Sequence, residues 1–191
     1  WRARLAEEHA EVDQADATRF TPLHYAAWSG SREAVATLVA AGANVHALND
    51  ALNTPLHLAA AGGHDLVVEQ LIGMGADVHS RNLSDRDALF MAALYAWKGS
   101  GELLGVLEVL KAHEVLLDAS DSSGAAPLHA TVTRRLPHAT LALLMAGADA
   151  NILHKKTGVT PLHELCCSPT PPDVEVARAL LDFGARPNAP A

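Results

Sequence analysis

The chain has 191 residues, 49% of them hydrophobic but only 4% aromatic, and a formal net charge of -8. That length suits one globular domain or one short solenoid, and a core so poor in rings must be built from Ala, Leu and Val in closely packed helices. The acidity argues against a general affinity for nucleic acid or anionic membrane, which needs clustered cations. No stretch reaches the roughly 18 uninterrupted apolar residues of a membrane span. The cysteines, Cys166 and Cys167, are adjacent. No disulfide framework is expected, which fits a reducing compartment and hence a cytoplasmic location, with the nucleus as a second compartment. The chain starts at Trp1 without Met or signal peptide and reads as a piece of a longer protein.

In chain order, residues 1–15 read as the second half of a unit whose full form follows five times, at 16–48, 49–81, 82–120, 121–154 and 155–191. Each full unit opens on one phrase: Thr21-Pro-Leu-His24, Thr54-Pro-Leu-His57, the weaker Asp87-Ala-Leu-Phe90, Ala126-Pro-Leu-His129 and Thr160-Pro-Leu-His163. The starts are 33, 33, 39 and 34 residues apart. Thr is a good N-cap and Pro suits the first helical position. A second, aliphatic helix follows in each unit, for example Val67, Val68, Leu71 and Ile72. It ends on a Gly-Ala phrase at Gly42, Gly75, Gly147 and Gly184, where Gly supplies a left-handed residue. In the third unit His113 stands in this place. The 39-residue spacing predicts five added residues at 95–101 and one more near Ser120. This unit is expected to be the least regular and the easiest to open.

A 33-residue period carrying T-P-L-H-x-A-A resembles the ankyrin repeat over nearly the whole chain. The resemblance implies an all-α solenoid, in which helix–turn–helix repeats stack as a single domain with projecting β-hairpin turns. It implies that His24, His57, His129 and His163 bridge neighbouring backbone segments, so they are scaffold. It also implies a non-catalytic, monomeric scaffold that binds another protein or peptide on its concave face, formed by hairpin tips and exposed positions of the first helices.

The residues that the repeat does not require are the candidate contacts. Phe20 and Trp28 place rings at variable positions of repeat 1. Tyr95 and Trp97 lie in the insertion, although Trp97 can also pack under its own loop. Arg134, Arg135, Lys155 and Lys156 form a basic cluster, with Arg81 and Arg86 on the same face. Between them Ala51, Ala61 and Gly62 leave a small, flat groove floor open to a backbone or helix. His163-x-x-Cys166-Cys167 has the look of metal ligands. Adjacent cysteines seldom give the required geometry, and Cys166 falls where a small buried residue packs between helices, so no metal, cofactor or catalytic site is expected. A second functional reading makes the chain the targeting part of a larger enzyme or ubiquitin-ligase adaptor. The stretch 160–167, T-P-L-H-E-L-C-C, resembles repeats in adaptors of the suppressor-of-cytokine-signalling-box type.

Overall fold

The computed structural model describes residues 12–96, 100–167 and 172–187. Ten helices form among the described residues, two per repeat: α1 (Pro22–Ser29), α2 (Arg32–Ala40), α3 (Pro55–Ala61), α4 (Asp65–Gly73), α5 (Ala88–Tyr95), α6 (Ser100–Ala112), α7 (Pro127–Thr133), α8 (Pro137–Ala146), α9 (Pro161–Cys167) and α10 (Val174–Asp182). The odd-numbered helices pack in one row and the even-numbered in another, each helix on the next of its row and on its partner within the repeat. The result is an all-α repeat solenoid. None of the helices is long and apolar enough to cross a membrane.

The repeated phrase explains the inner row. Thr21 and Thr54 cap their helices, with Pro at the first position. Leu23, Leu56, Leu89 and Leu128 point inward and are fully buried. Ala27, Ala60, Ala93 and Val132 occupy one register position and are at most 1% exposed, because the next inner helix closes over each. Cys166 holds that same position in repeat 5, where no described helix stacks beyond α9. It is therefore exposed, as is Cys167, and the expected burial of Cys166 is corrected.

The turns between repeats contain no strand among the described residues. Each is spanned by a backbone bond, donated by Asp16 to Phe20, Asn49 to Asn53, Asn82 to Arg86, Asp121 to Ala125 and His154 to Val159. In four of the five, the Asp or Asn side chain accepts N–H groups two and four residues on, as at Asn49 to Ala51 and Asn53. Neighbouring tips are tied together: Asp50 donates to Thr18, Leu83 to Ala51, Ser122 to Ser84 and Lys155 to Gly124.

Repeat 3 corrects the expected register. Ala76 N–H bonds the Leu71 carbonyl, and its counterpart is Val115 bonding Leu110. The residue matching Gly75 (φ 94°) is therefore Glu114 (φ 59°), not His113. All the added residues precede Leu110, and none lies near Ser120. Much of the addition lengthens α6 to 13 residues, against 9 in α4.

Candidate partner-binding face

Trp28 lies in the last turn of α1 and is 39% exposed. Its ring meets the edge of Tyr95, at the end of α5, with centroids 6.2 Å apart. The Arg134 guanidinium, just past α7, lies 6.0 Å from the Tyr95 ring centre. Repeats 1, 3 and 4 thus contribute one side chain each to a single line, Trp28–Tyr95–Arg134. Repeat 2 lies between Trp28 and Tyr95, and there the chain places Ala61 and Gly62, both buried. A Cβ on Gly62 would sit 2.6 Å from the His64 ring and 3.1 Å from the Trp28 carbonyl. That carbonyl accepts a hydrogen bond from His64 Nε2 at 3.0 Å. The small residues do not form the open floor expected of Ala61 and Gly62; they are covered, and they leave room for rings from the flanking repeats to meet.

Phe20 is half-buried against the rings of its own repeat, 5.6 Å from His24 and 5.5 Å from Tyr25. The sequence reading missed Tyr25, which is 54% exposed and donates its hydroxyl to Asp16 Oδ2 at 2.6 Å. That bond, with others from Phe20 and Thr18, holds the Asp16 carboxyl far below the usual carboxylate range. Trp97 lies outside the described residues.

Arg81 and Arg86 are engaged inside the molecule. Arg86 Nε and Nη2 grip Asp121 Oδ2 at 2.9 and 2.8 Å, and its guanidinium stands over the Phe90 ring. Arg81 donates to the carbonyls of Asp85 and Ser120 and pairs with Asp85 and Asp87. The Arg86 bonds join repeat 3 to repeat 4, and Arg81, the last residue of repeat 2, ties into repeat 3. Elsewhere a histidine spans the junction: His24 Nε2 bonds the Asn53 carbonyl, His57 that of Arg86 and His129 that of Val159, at 3.0, 3.0 and 3.2 Å. In each, Nδ1 accepts the N–H of the residue three before it, so the neutral tautomer with a proton on Nε2 is required. Burial pushes all three imidazoles below the ordinary histidine range. Phe90 cannot make this bond, and Arg86 takes its place.

The basic cluster does not assemble. Arg134 and Arg135 lie past the end of α7, whereas Lys155 and Lys156 lie beside the turn that precedes it. Lys156 Nζ donates to the Ser122 carbonyl at 2.7 Å. The seven residues of α7 rise about 10 Å and separate the two pairs. No group of His, Cys, Asp or Glu that could hold a metal occurs among the described residues.

A family model for the ankyrin repeat matches residues 18–50, 52–83 and 157–191. The chain belongs to the ankyrin-repeat family. Ankyrin repeats are in general protein–protein interaction modules. The sequence matches no curated protein.

Proposed function

We propose that this ankyrin-repeat domain is a non-catalytic scaffold that binds a partner protein or peptide on the face of its inner helices, which is the concave face of ankyrin arrays. The observation that carries the reading is the line Trp28–Tyr95–Arg134. Packing within the repeats does not call for a part-exposed Trp, an edge-on Tyr and a cation across three repeats. Trp, Tyr and Arg are the residues most enriched at interface hot spots. Lys155 and Lys156, at a turn tip on the same face, would add a separate electrostatic contact. Exposed free thiols at Cys166 and Cys167 support a reducing, intracellular setting.

The test begins by capturing partners with the intact chain and quantifying them against Trp28→Ala/Arg134→Glu. The affinity of any partner found is then measured with purified components. A loss of at least about 2 kcal/mol, near thirtyfold, is expected for the double variant. An unchanged affinity overturns the assignment.

A further inference from the structure

We propose that the cavity between repeats 4 and 5 is a subsite for a basic side chain, lysine or arginine, presented by the bound partner; the inference rests on the reading that this face binds protein. The cavity holds about 410 Å³ and is walled by Val132, Val159 and Leu165, with Thr133, His154, Thr157, His163 and Glu164 supplying polar atoms, of which Glu164 carries the one carboxylate. That size and balance, apolar walls with a few polar groups, are typical of ligand pockets.

The polar atoms are incompletely satisfied in a way that selects a donor. Glu164 Oε1 accepts from the Thr133 hydroxyl at 2.8 Å, but the same hydroxyl also lies 2.8 Å from the His129 carbonyl. One hydroxyl hydrogen is thus divided between two acceptors. Glu164 Oε2 is shielded from solvent and has no hydrogen-bond partner. No Lys or Arg of the described residues forms an ion pair with this carboxylate. A shielded carboxylate oxygen without a donor is a deficit that a ligand can correct. The terminal torsion of a Glu side chain is soft, so a small rotation turns Oε2 into the cavity that the carboxylate already lines.

A lysine or arginine fits both halves of this site. Its aliphatic stem lies along Val132, Val159 and Leu165, and its head donates charge-assisted bonds to Glu164. An acidic side chain meets like charge, and an aliphatic one leaves the carboxylate unpaired.

Single-residue probes test this with the intact, isotope-labelled chain. N-acetyl-lysine amide and N-acetyl-arginine amide are titrated beside the norleucine and glutamine analogues, with amide NMR shifts as the readout. Saturable shifts at Thr133, Val159, His163 and Glu164 are expected for a basic probe. Binding should weaken at least about tenfold for the norleucine and glutamine probes, and equally for Glu164→Gln. Glu164→Asp, which keeps the charge but withdraws it, should bind less tightly than the parent and still prefer the basic probe. Equal binding of norleucine, a preference for glutamine, basic-probe binding unchanged by Glu164→Gln, or no saturable response overturns the proposal. These titrations use no partner and turn on Glu164, whereas the partner-binding line is read from a captured partner with Trp28→Ala/Arg134→Glu, so failure here and failure there are separate results.

Discussion

The junction between repeats 2 and 3 and the junction between repeats 3 and 4 meet the same demand with different chemistry. At the first, buried His57 reaches across with one neutral N–H to the Arg86 carbonyl. At the second, Phe90 fills the histidine's place, and Arg86, its guanidinium over the ring, crosses to Asp121. The histidine works only while it stays unprotonated, because Nδ1 already accepts the Thr54 N–H. The arginine is charged at every pH a protein survives. On Asp121, burial opposes ionisation, but hydrogen bonds from Ser123 and Arg86 outweigh it and hold the carboxyl below its ordinary value. The comparison teaches that one register position can lose its hydrogen-bonding ring without losing the junction, provided the turn residues supply a cation and an acid.

Four changes break or sharpen this contrast. The largest effect is expected for Arg86→Met. It leaves the Asp121 side chain, 1% exposed, without its cation, and breaking a buried pair in this way costs about 3–5 kcal/mol. Urea unfolding should become biphasic as the two sides of the junction uncouple; a single transition at the parent midpoint would refute the pairing's role.

His57→Phe copies repeat 3 into repeat 2 without its arginine. It orphans the Arg86 carbonyl and the Thr54 N–H and should cost about 1–3 kcal/mol, read as a lower urea midpoint.

The third expectation concerns pH. The folded-state pKa values of His24, His57 and His129 are lowered, chiefly by burial. The unfolded chain therefore takes up protons first as pH falls. Their contribution is complete above the ordinary histidine value of about 6.5 and is lost as pH drops from there toward the folded values. Asp121 is shifted down as well, but its window lies below the ordinary carboxylate value of about 3.9. The histidine junctions should weaken near pH 5.5 while the arginine junction holds. Asp87 and Asp118, raised chiefly by burial, act with the opposite sign, so the slope is read as a difference. His57→Phe should have a shallower stability–pH slope than the parent between pH 7.5 and 5.5, and Arg86→Met should not. Equal slopes for His57→Phe and the parent would sink the linkage.

The smallest effect tests the register of repeat 3. Glu114→Gly removes a left-handed side chain and should gain up to about 1 kcal/mol. His113→Gly should gain nothing, and thermal melts of the two variants side by side decide between them.

Much of the scaffold was legible because it rests on local rules repeated in phase. Thr-Pro starts a helix, Leu and the small residues after it bury, and Gly ends the outer helix. One copy of the phrase would say little, but several in register require stacking. The same register marked the histidines as scaffold. Contacts that cross between repeats through residues outside the repeated phrase were not legible. Arg81 and Arg86 look alike on the surface of a sequence, and their acceptors lie 39 and 35 residues away, at Ser120 and Asp121. Arg134 and Lys156 fall in one repeat period but sit off opposite ends of α7. Glu164 drew no notice because its unpaired oxygen depends on which groups close around it. The off-by-one reading at His113 had a local cause: without Gly, the left-handed residue has no sequence signature, and only the bond from Val115 to Leu110 locates it.

By itself, then, the sequence determined the family, the helix pairs and the histidine bridges at His24, His57 and His129, since each follows from capping, patterning and a period that repeats; for His163 only the bond to its own Thr160 is seen among the described residues. Only the tertiary structure decided which variable residues meet. It joined Trp28 to Tyr95 over Ala61 and Gly62, tied Arg81 and Arg86 to their neighbours, opened Cys166 to solvent and left Glu164 Oε2 without a donor. The physical reason is plainest for Trp28 and Tyr95. A side chain's partners are set by the distance between elements after stacking, and that distance depends on the residues of the repeat in between as much as on its own.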